Sequence, residues 1–172
     1  MNNDIVSGFD DRTEDSVTLK LQKIDGIEGG LIVYTSGHID TYSSILFRRR
    51  IERAIEAGFL RLILEMSQVS YVSSTGWGTL AHLGRLVKPQ NGELVLNRPQ
   101  PKVIEVAKLL GLAQHFNVRD SLDESLDFFL FPKVFSCPAC GKHLSASKAG
   151  RFRCSECKTV IEIDAAASVK LG

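Results

Sequence analysis

All four cysteines of this 172-residue chain lie at or beyond position 137, as Cys137-Pro-Ala-Cys140 and Cys154-Ser-Glu-Cys157. That confinement limits the folds available. Whatever forms upstream must hold together without cross-links, and the C-terminal stretch is too short to keep a core unaided. Two C-x-x-C pairs separated by residues 141–153 can each present two thiolates from a tight knuckle, together giving a tetrahedral site for zinc. Pro138 and Gly141 suit the first knuckle, and Phe152 suits a strand leading into the second. Metal binding then supplies the folding free energy. Two alternatives are a pair of disulfides, disfavoured in a reducing compartment, and a dithiol redox motif. The latter would open a helix in a βαβ unit, which neither pair does. With Cys137, Cys140, Cys154 and Cys157 all ligating, no coordination position stays open, so the zinc is structural and not catalytic. His143 could compete as a ligand, though the four cysteines suffice. Lys142, Lys148, Arg151, Arg153 and Lys158 offset the thiolate charge or, alternatively, touch nucleic acid.

Hydrophobic residues make up 44% of the chain and charged residues 24%, enough for a packed core. Lysine and arginine number 21 against 20 acidic residues, which argues against nucleic acid or an anionic membrane as the main partner. The first residues lack the basic and apolar regions of a secretory signal. No apolar run approaches the roughly 20 residues needed to span a bilayer. A cytoplasmic protein is the default expectation. Residues 1–15, with Asp4, Asp10, Asp11, Glu14 and Asp15, read as a flexible acidic leader.

From there the periodicity alternates. Val17, Leu19 and Leu21 follow the two-residue period of a half-buried strand, and Leu31 to Thr35 reads as a second, more buried one. Phe47, Ile51, Ala54 and Ile55 recur at helical spacing from about Thr41, with Gly58 as a stop. Arg48, Arg49 and Arg50 fan round that helix, as a solvated face or as an anion site. Leu60–Met66 predicts a central strand. The next helix opens near Ser73–Thr75, with Gly76, Leu80, Leu83 and Val87 on one stripe. Gly92–Leu96 predicts a fourth strand, and a helix after Pro99 carries Val103, Val106, Ala107 and Leu110. A short strand near 116–118 and a last helix with Leu122, Leu126 and Phe129 inward complete the pattern. This order predicts an α/β domain, a mixed β-sheet packed with helices, over 16–131. Pro132 and a change of composition put a boundary near 132–136, before the metal segment (134–165) and a tail (166–172).

The most informative upstream stretch is Ser73-Ser74-Thr75-Gly76-Trp77-Gly78, at a helix start after a buried strand. Hydroxyl residues there cap free N–H groups. A phosphate at the same place faces those N–H groups and the positive end of the helix dipole, while adding roughly −1.5 to −2 charges to the surface. The stretch resembles the signature of the bacterial anti-sigma factor antagonists and other STAS domains, Asp-Ser-Ser/Thr-Gly-Leu-Gly. Ser73 stands where that family has aspartate, Ser74 matches its phosphorylated serine, and Thr75 the residue that follows. Ser36-Gly-His-Ile-Asp40 resembles the family's Gly-Glu-Leu-Asp, with His38 in place of glutamate. The resemblance covers about two-thirds of the chain, and residues 134–165 resemble a zinc ribbon.

The resemblance implies a regulatory protein, not an enzyme. It would bind an anti-sigma factor of the serine-kinase type and be switched off by phosphorylation at Ser74, with Thr75 secondary. Asp40 and Ser73 would contact the partner. Trp77, larger than the usual leucine, is either a half-buried core anchor or a partner-facing hot spot. The alternatives are a non-switching STAS scaffold with the ribbon as a docking surface, favoured by Ser73, and nucleic-acid binding through the ribbon. No Gly-rich phosphate loop, metal-binding histidine motif or nucleophile elbow supports catalysis. His38, His82 and His115 have no ligand-like partners in sequence. Self-association stays open.

Overall fold

The computed structural model describes residues 5–7, 9, 16–131, 134–146, 149–164 and 168–172. The chain divides into two compact units, residues 1–122 and 123–172. In the first, strands β1 (Val17–Lys23), β2 (Gly30–Ile39), β3 (Arg61–Val72), β4 (Glu93–Asn97) and β5 (Asn117–Arg119) form one sheet in sequential order. β1 pairs antiparallel with β2, and the rest run parallel. Parallel neighbours need crossovers, supplied by α1 (Ser43–Glu56), α2 (Ser74–Val87) and α3 (Pro101–Leu109).

A sequential order joined by right-handed crossovers keeps successive helices on one face of the sheet. The core bears this out. Phe47, Ile51 and Ala54 of α1, Trp77, Leu80 and Leu83 of α2, and Val103 and Ala107 of α3 share one cluster with Leu19, Val33, Leu64 and Leu96 of the strands. The opposite sheet face carries Ile32, Ile63 and Val95, also buried. Such two-sided burial is why β3 and β4 read as continuous apolar runs.

Two elements are longer than their apolar patterns. β3 does not end at Met66 but continues to Val72, because β2 also runs on to Ile39 and pairs with it after register shifts at Tyr34/Ser36 and Gly37/His38. Ser67, Gln68 and Ser70 interrupt the apolar run there, so periodicity could not announce the strand. The arginine run is not one solvated face: Arg48 pairs with Glu52 at 2.7 Å, whereas Arg50 is buried. Most of the acidic leader lies outside the described residues. Of those described, Val6 and Phe9 are buried in the main cluster, so that part is not a free leader.

The second unit contains α4 (Leu122–Leu130), a two-stranded pairing of β6 (Phe135–Ser136) with β7 (His143–Leu144), and a three-stranded sheet. In that sheet β9 (Val160–Ile163) lies between β8 (Gly150–Arg153) and β10 (Val169–Leu171). The stretch expected as a tail thus supplies a strand, antiparallel to β9. Its exposed Lys170 and the small preceding residues hid it in the sequence. α4 groups with this unit, not with the main domain as the composition change suggested. Ser125 is its buried position, and Leu122, Leu126 and Phe129 are half-buried. Among the described residues no helix is long and apolar enough to cross a membrane.

Candidate functional site

Parallel strands deliver their carboxyl ends to the same edge of a sheet. At that edge Ile39 of β2 pairs with Val72 of β3, and the Ser73 N–H donates to the Ile39 carbonyl at 2.9 Å. α1 and α2 start from these adjacent ends, so Asp40 and the hydroxyl cluster belong to one edge of the fold.

The three hydroxyl residues have different situations. Ser73 is the N-cap of α2, in extended conformation, and its Oγ accepts the Gly76 N–H at 3.1 Å. With 8% of its surface exposed, it has little to offer a partner. Ser74 and Thr75 are the first two helical residues and are exposed. Their hydroxyls make no hydrogen bond among the described residues. Gly76 explains how the helix sits so close to the sheet: a Cβ there would lie 2.5 Å from the Ile39 carbonyl oxygen and 2.9 Å from Cγ1 of Val72.

Trp77 is 0% exposed, with its ring centroid 5.5 Å from that of Phe116. It is a fully buried anchor, and the partner-facing reading of this residue does not hold. The helix turns it inward, and its indole N–H has no hydrogen-bond partner. Outward-facing apolar groups at this edge come from residues that the sequence reading passed over. Tyr42 is 87% exposed, Ile45 58% and Tyr71 50%. The signal for Tyr71 was the strand alternation that buries Val72 and so turns its predecessor outward.

Asp40 is half-buried and caps α1. Its Oδ1 accepts the N–H groups of Tyr42 at 2.9 Å and Ser43 at 2.8 Å, and Ser16 donates to Oδ2 at 3.1 Å. In return the Asp40 N–H donates to the Ser43 hydroxyl at 2.9 Å, a reciprocal capping box. The Ser43 N–H foremost, with the other donors, holds the Asp40 carboxyl below its usual range, so it stays ionised.

A second carboxylate was missed altogether. Glu65 on β3 is 5% exposed. Its Oε1 accepts the Ser67 N–H at 3.0 Å, Asn97 Nδ2 donates to Oε2, and Arg98 Nη2 lies 3.3 Å from Oε1. Burial pushes this carboxyl up, but the donors at Ser67, Asn97 and Arg98 outweigh it and the pKa is lowered. The network ties the irregular part of β3 to the end of β4. No sequence signal marks it, because its members are far apart in the chain.

In the second unit the four cysteine sulfurs lie within 4.8 Å of one another. Cys137 and Cys157 are 3.8 Å apart, and Cys140 and Cys154 3.7 Å. Four sulfurs about 2.3 Å from a central zinc stand about 3.8 Å apart in a tetrahedron, so the donor set fits that ion. The knuckles are built alike. The Cys137 N–H donates to the Lys142 carbonyl at 2.8 Å and the Cys154 N–H to the Thr159 carbonyl at 2.9 Å. Gly141 and Lys158, each after the second cysteine of its pair, both have positive φ, 75° and 62°. Hydrogen bonding to Thr159 lowers the Cys157 thiol to about 6. At Cys140 the Lys142 N–H favours thiolate, yet hydrogen bonds with Cys157, Cys137 and Cys154, together with burial, push it up to about 12. Four thiols this close cannot all ionise without a cation among them. His143 is not in the cluster.

A family model for the STAS domain matches residues 18–125, and one for a domain of unknown function (DUF8512) matches residues 134–172. The anti-sigma-B factor antagonist of Bacillus subtilis is 34% identical over 86 residues, which are 49% of this chain and 77% of that protein. The structure of an anti-sigma factor antagonist from Mycobacterium paratuberculosis superimposes with a TM-score of 0.59 at 23% identity, covering 68% of this chain and 97% of that one. The Bacillus anti-sigma factor antagonist SpoIIAA, solved in its unphosphorylated form, gives 0.55 at 21% identity over 64% of this chain and 94% of its own. Its phosphorylated form gives 0.50 at 21% identity, covering 64% of this chain and 97% of that one. The chain thus belongs to the STAS domain family, with relatives that are named anti-sigma factor antagonists.

Proposed function

We propose that this protein is a regulatory antagonist and not an enzyme. Its unmodified switch edge docks an anti-sigma factor of the serine-kinase type, and phosphorylation of Ser74, with Thr75 as a secondary acceptor, ends the docking. The observation that carries this is the division of labour at the start of α2: Ser73 is consumed as the cap, while Ser74 and Thr75 are exposed and unengaged. A phosphate on Ser74 would meet the free N–H groups of the first helical turn, so α2 tolerates it. It would also add about −1.5 to −2 charges beside a surface whose exposed groups include Tyr42, Ile45 and Tyr71. Desolvating that charge against an apolar partner is costly. Asp40, fixed by its cap hydrogen bonds, supplies a second negative charge on the same edge.

In the second unit we infer one structural zinc ion held by Cys137, Cys140, Cys154 and Cys157. It replaces the core that so short a segment lacks.

The test is to mix the full chain with its kinase partner and ATP, and to map phosphate by mass spectrometry. Modification at Ser74 is expected, and Ser74→Asp should weaken partner binding at least tenfold. Phosphate confined to residues outside 73–75 would refute the switch. A second reading, a non-switching interaction module, is favoured by serine at position 73, which lacks the aspartate's charge. Unchanged partner affinity in Ser74→Asp would establish it.

A further inference from the structure

At the opposite end of α2 from Ser74, a cleft of about 310 Å³ opens between that helix, β4 and the segment leading into β5. Its volume is at the small end of the range for ligand pockets. Leu94, Leu112 and Phe116 give it apolar walls, and Arg85, Lys88, His115 and Glu93 its polar groups. Among the described residues none of these four side chains has a hydrogen bond or ion pair. Arg85 and Lys88 face the single carboxylate of Glu93, an excess of basic groups that suits the site to an anion. Phe116 is braced from behind by Trp77, so that wall is preformed.

Gly84 adds an independent observation. It lies inside α2 and lines the cleft, and a Cβ built on it meets no atom within 4 Å. Glycine destabilises a helix interior relative to alanine, and here no neighbour in the protein forbids a side chain. Basic residues in a last helical turn complement the helix dipole, which accounts for Arg85 and Lys88 but not for the bare backbone beside them. Gly78 in the same helix is equally open; Gly84 differs in lining the cleft, where the missing side chain leaves room for a ligand beside the two basic groups.

We infer that this cleft binds a small organic anion, with a ring-sized apolar body against Leu94, Leu112 and Phe116 and its carboxylate or phosphate toward Arg85 and Lys88. The site is separate from the phosphorylation edge and does not depend on it. The test uses the full chain and three probes, benzoate, phenyl phosphate and neutral benzamide, followed by amide chemical shifts. At least one anion should give saturable shifts at Gly84, Leu94 and Leu112, with Kd on the order of 1 mM, and whichever binds tighter names the headgroup. Benzamide should bind at least fivefold more weakly. Arg85→Gln with Lys88→Gln should weaken the anions at least fivefold. Gly84→Leu should abolish binding while leaving the thermal midpoint unchanged or higher. Failure of both anions to saturate by about 20 mM, benzamide binding as well as they do, or binding that survives Gly84→Leu would each overturn the inference.

Discussion

Two glycines in one helix should respond to the same substitution with opposite signs. At Gly76 an added methyl would sit 2.5 Å from the Ile39 carbonyl oxygen, where an ordinary contact needs roughly 3.5 Å. The start of α2 would have to retreat by about 1 Å from the ends of β2 and β3. Overpacking of this kind costs about 1–3 kcal/mol, and stretching the Ser73 N–H to Ile39 hydrogen bond adds about 1 kcal/mol. Alanine returns about 1 kcal/mol through helix propensity. The net expectation for Gly76→Ala is a loss of about 1–3 kcal/mol. At Gly78 an added Cβ meets nothing within 4 Å, so only the propensity remains, and Gly78→Ala should gain about 0.5–1 kcal/mol. Trp77 is the only tryptophan and is fully buried, so urea unfolding followed by its fluorescence reports on the first unit alone. With a slope near 1.5 kcal/mol per molar, the midpoint should fall by about 0.7–2 M in the first variant and rise by about 0.5 M in the second. A Gly76→Ala protein as stable as the parent would refute the close approach, and an equal loss in both variants would refute the contrast.

Two other expectations concern the metal and the acid limb of stability. Metal analysis should find one zinc per chain, and stripping it with a strong chelator should collapse the amide dispersion of residues 134–172 while leaving Trp77 emission unchanged; retention of that dispersion without metal would contradict a zinc-dependent fold. Glu65 has a folded pKa below its ordinary 4.5, so its contribution is present above that value and is lost as the pH falls through the lower folded one. Glu65→Gln should therefore be less stable at pH 7 and flatter between about pH 5 and 3, and a parallel acid profile in urea titrations would show that the carboxylate is not what the Asn97 and Arg98 donors hold.

Much of this architecture is legible before any coordinates. Val17, Leu19 and Leu21, the stripe from Phe47 to Ile55, and the run at Leu62–Leu64 announce strand, helix and buried strand, because each face repeats at the period of its own backbone. The cysteine spacing announces a four-sulfur site for a similar reason: two knuckles are local structures. What the chain could not announce depends on residues that meet only after folding. Ser73, Ser74 and Thr75 are equivalent hydroxyls in one dimension; the geometry of the helix start assigns the first to the cap and leaves the next two in solvent. Trp77, which the sequence leaves undecided between core and surface, lies under the sheet's helical layer because α2 presents that side to Phe116. Glu65 with Asn97, the extension of β3 alongside β2, and β10 alongside β9 share that origin. Periodicity records which face a residue belongs to, whereas the partner on that face is chosen by segments distant in sequence, and only the closed tertiary structure brings them together.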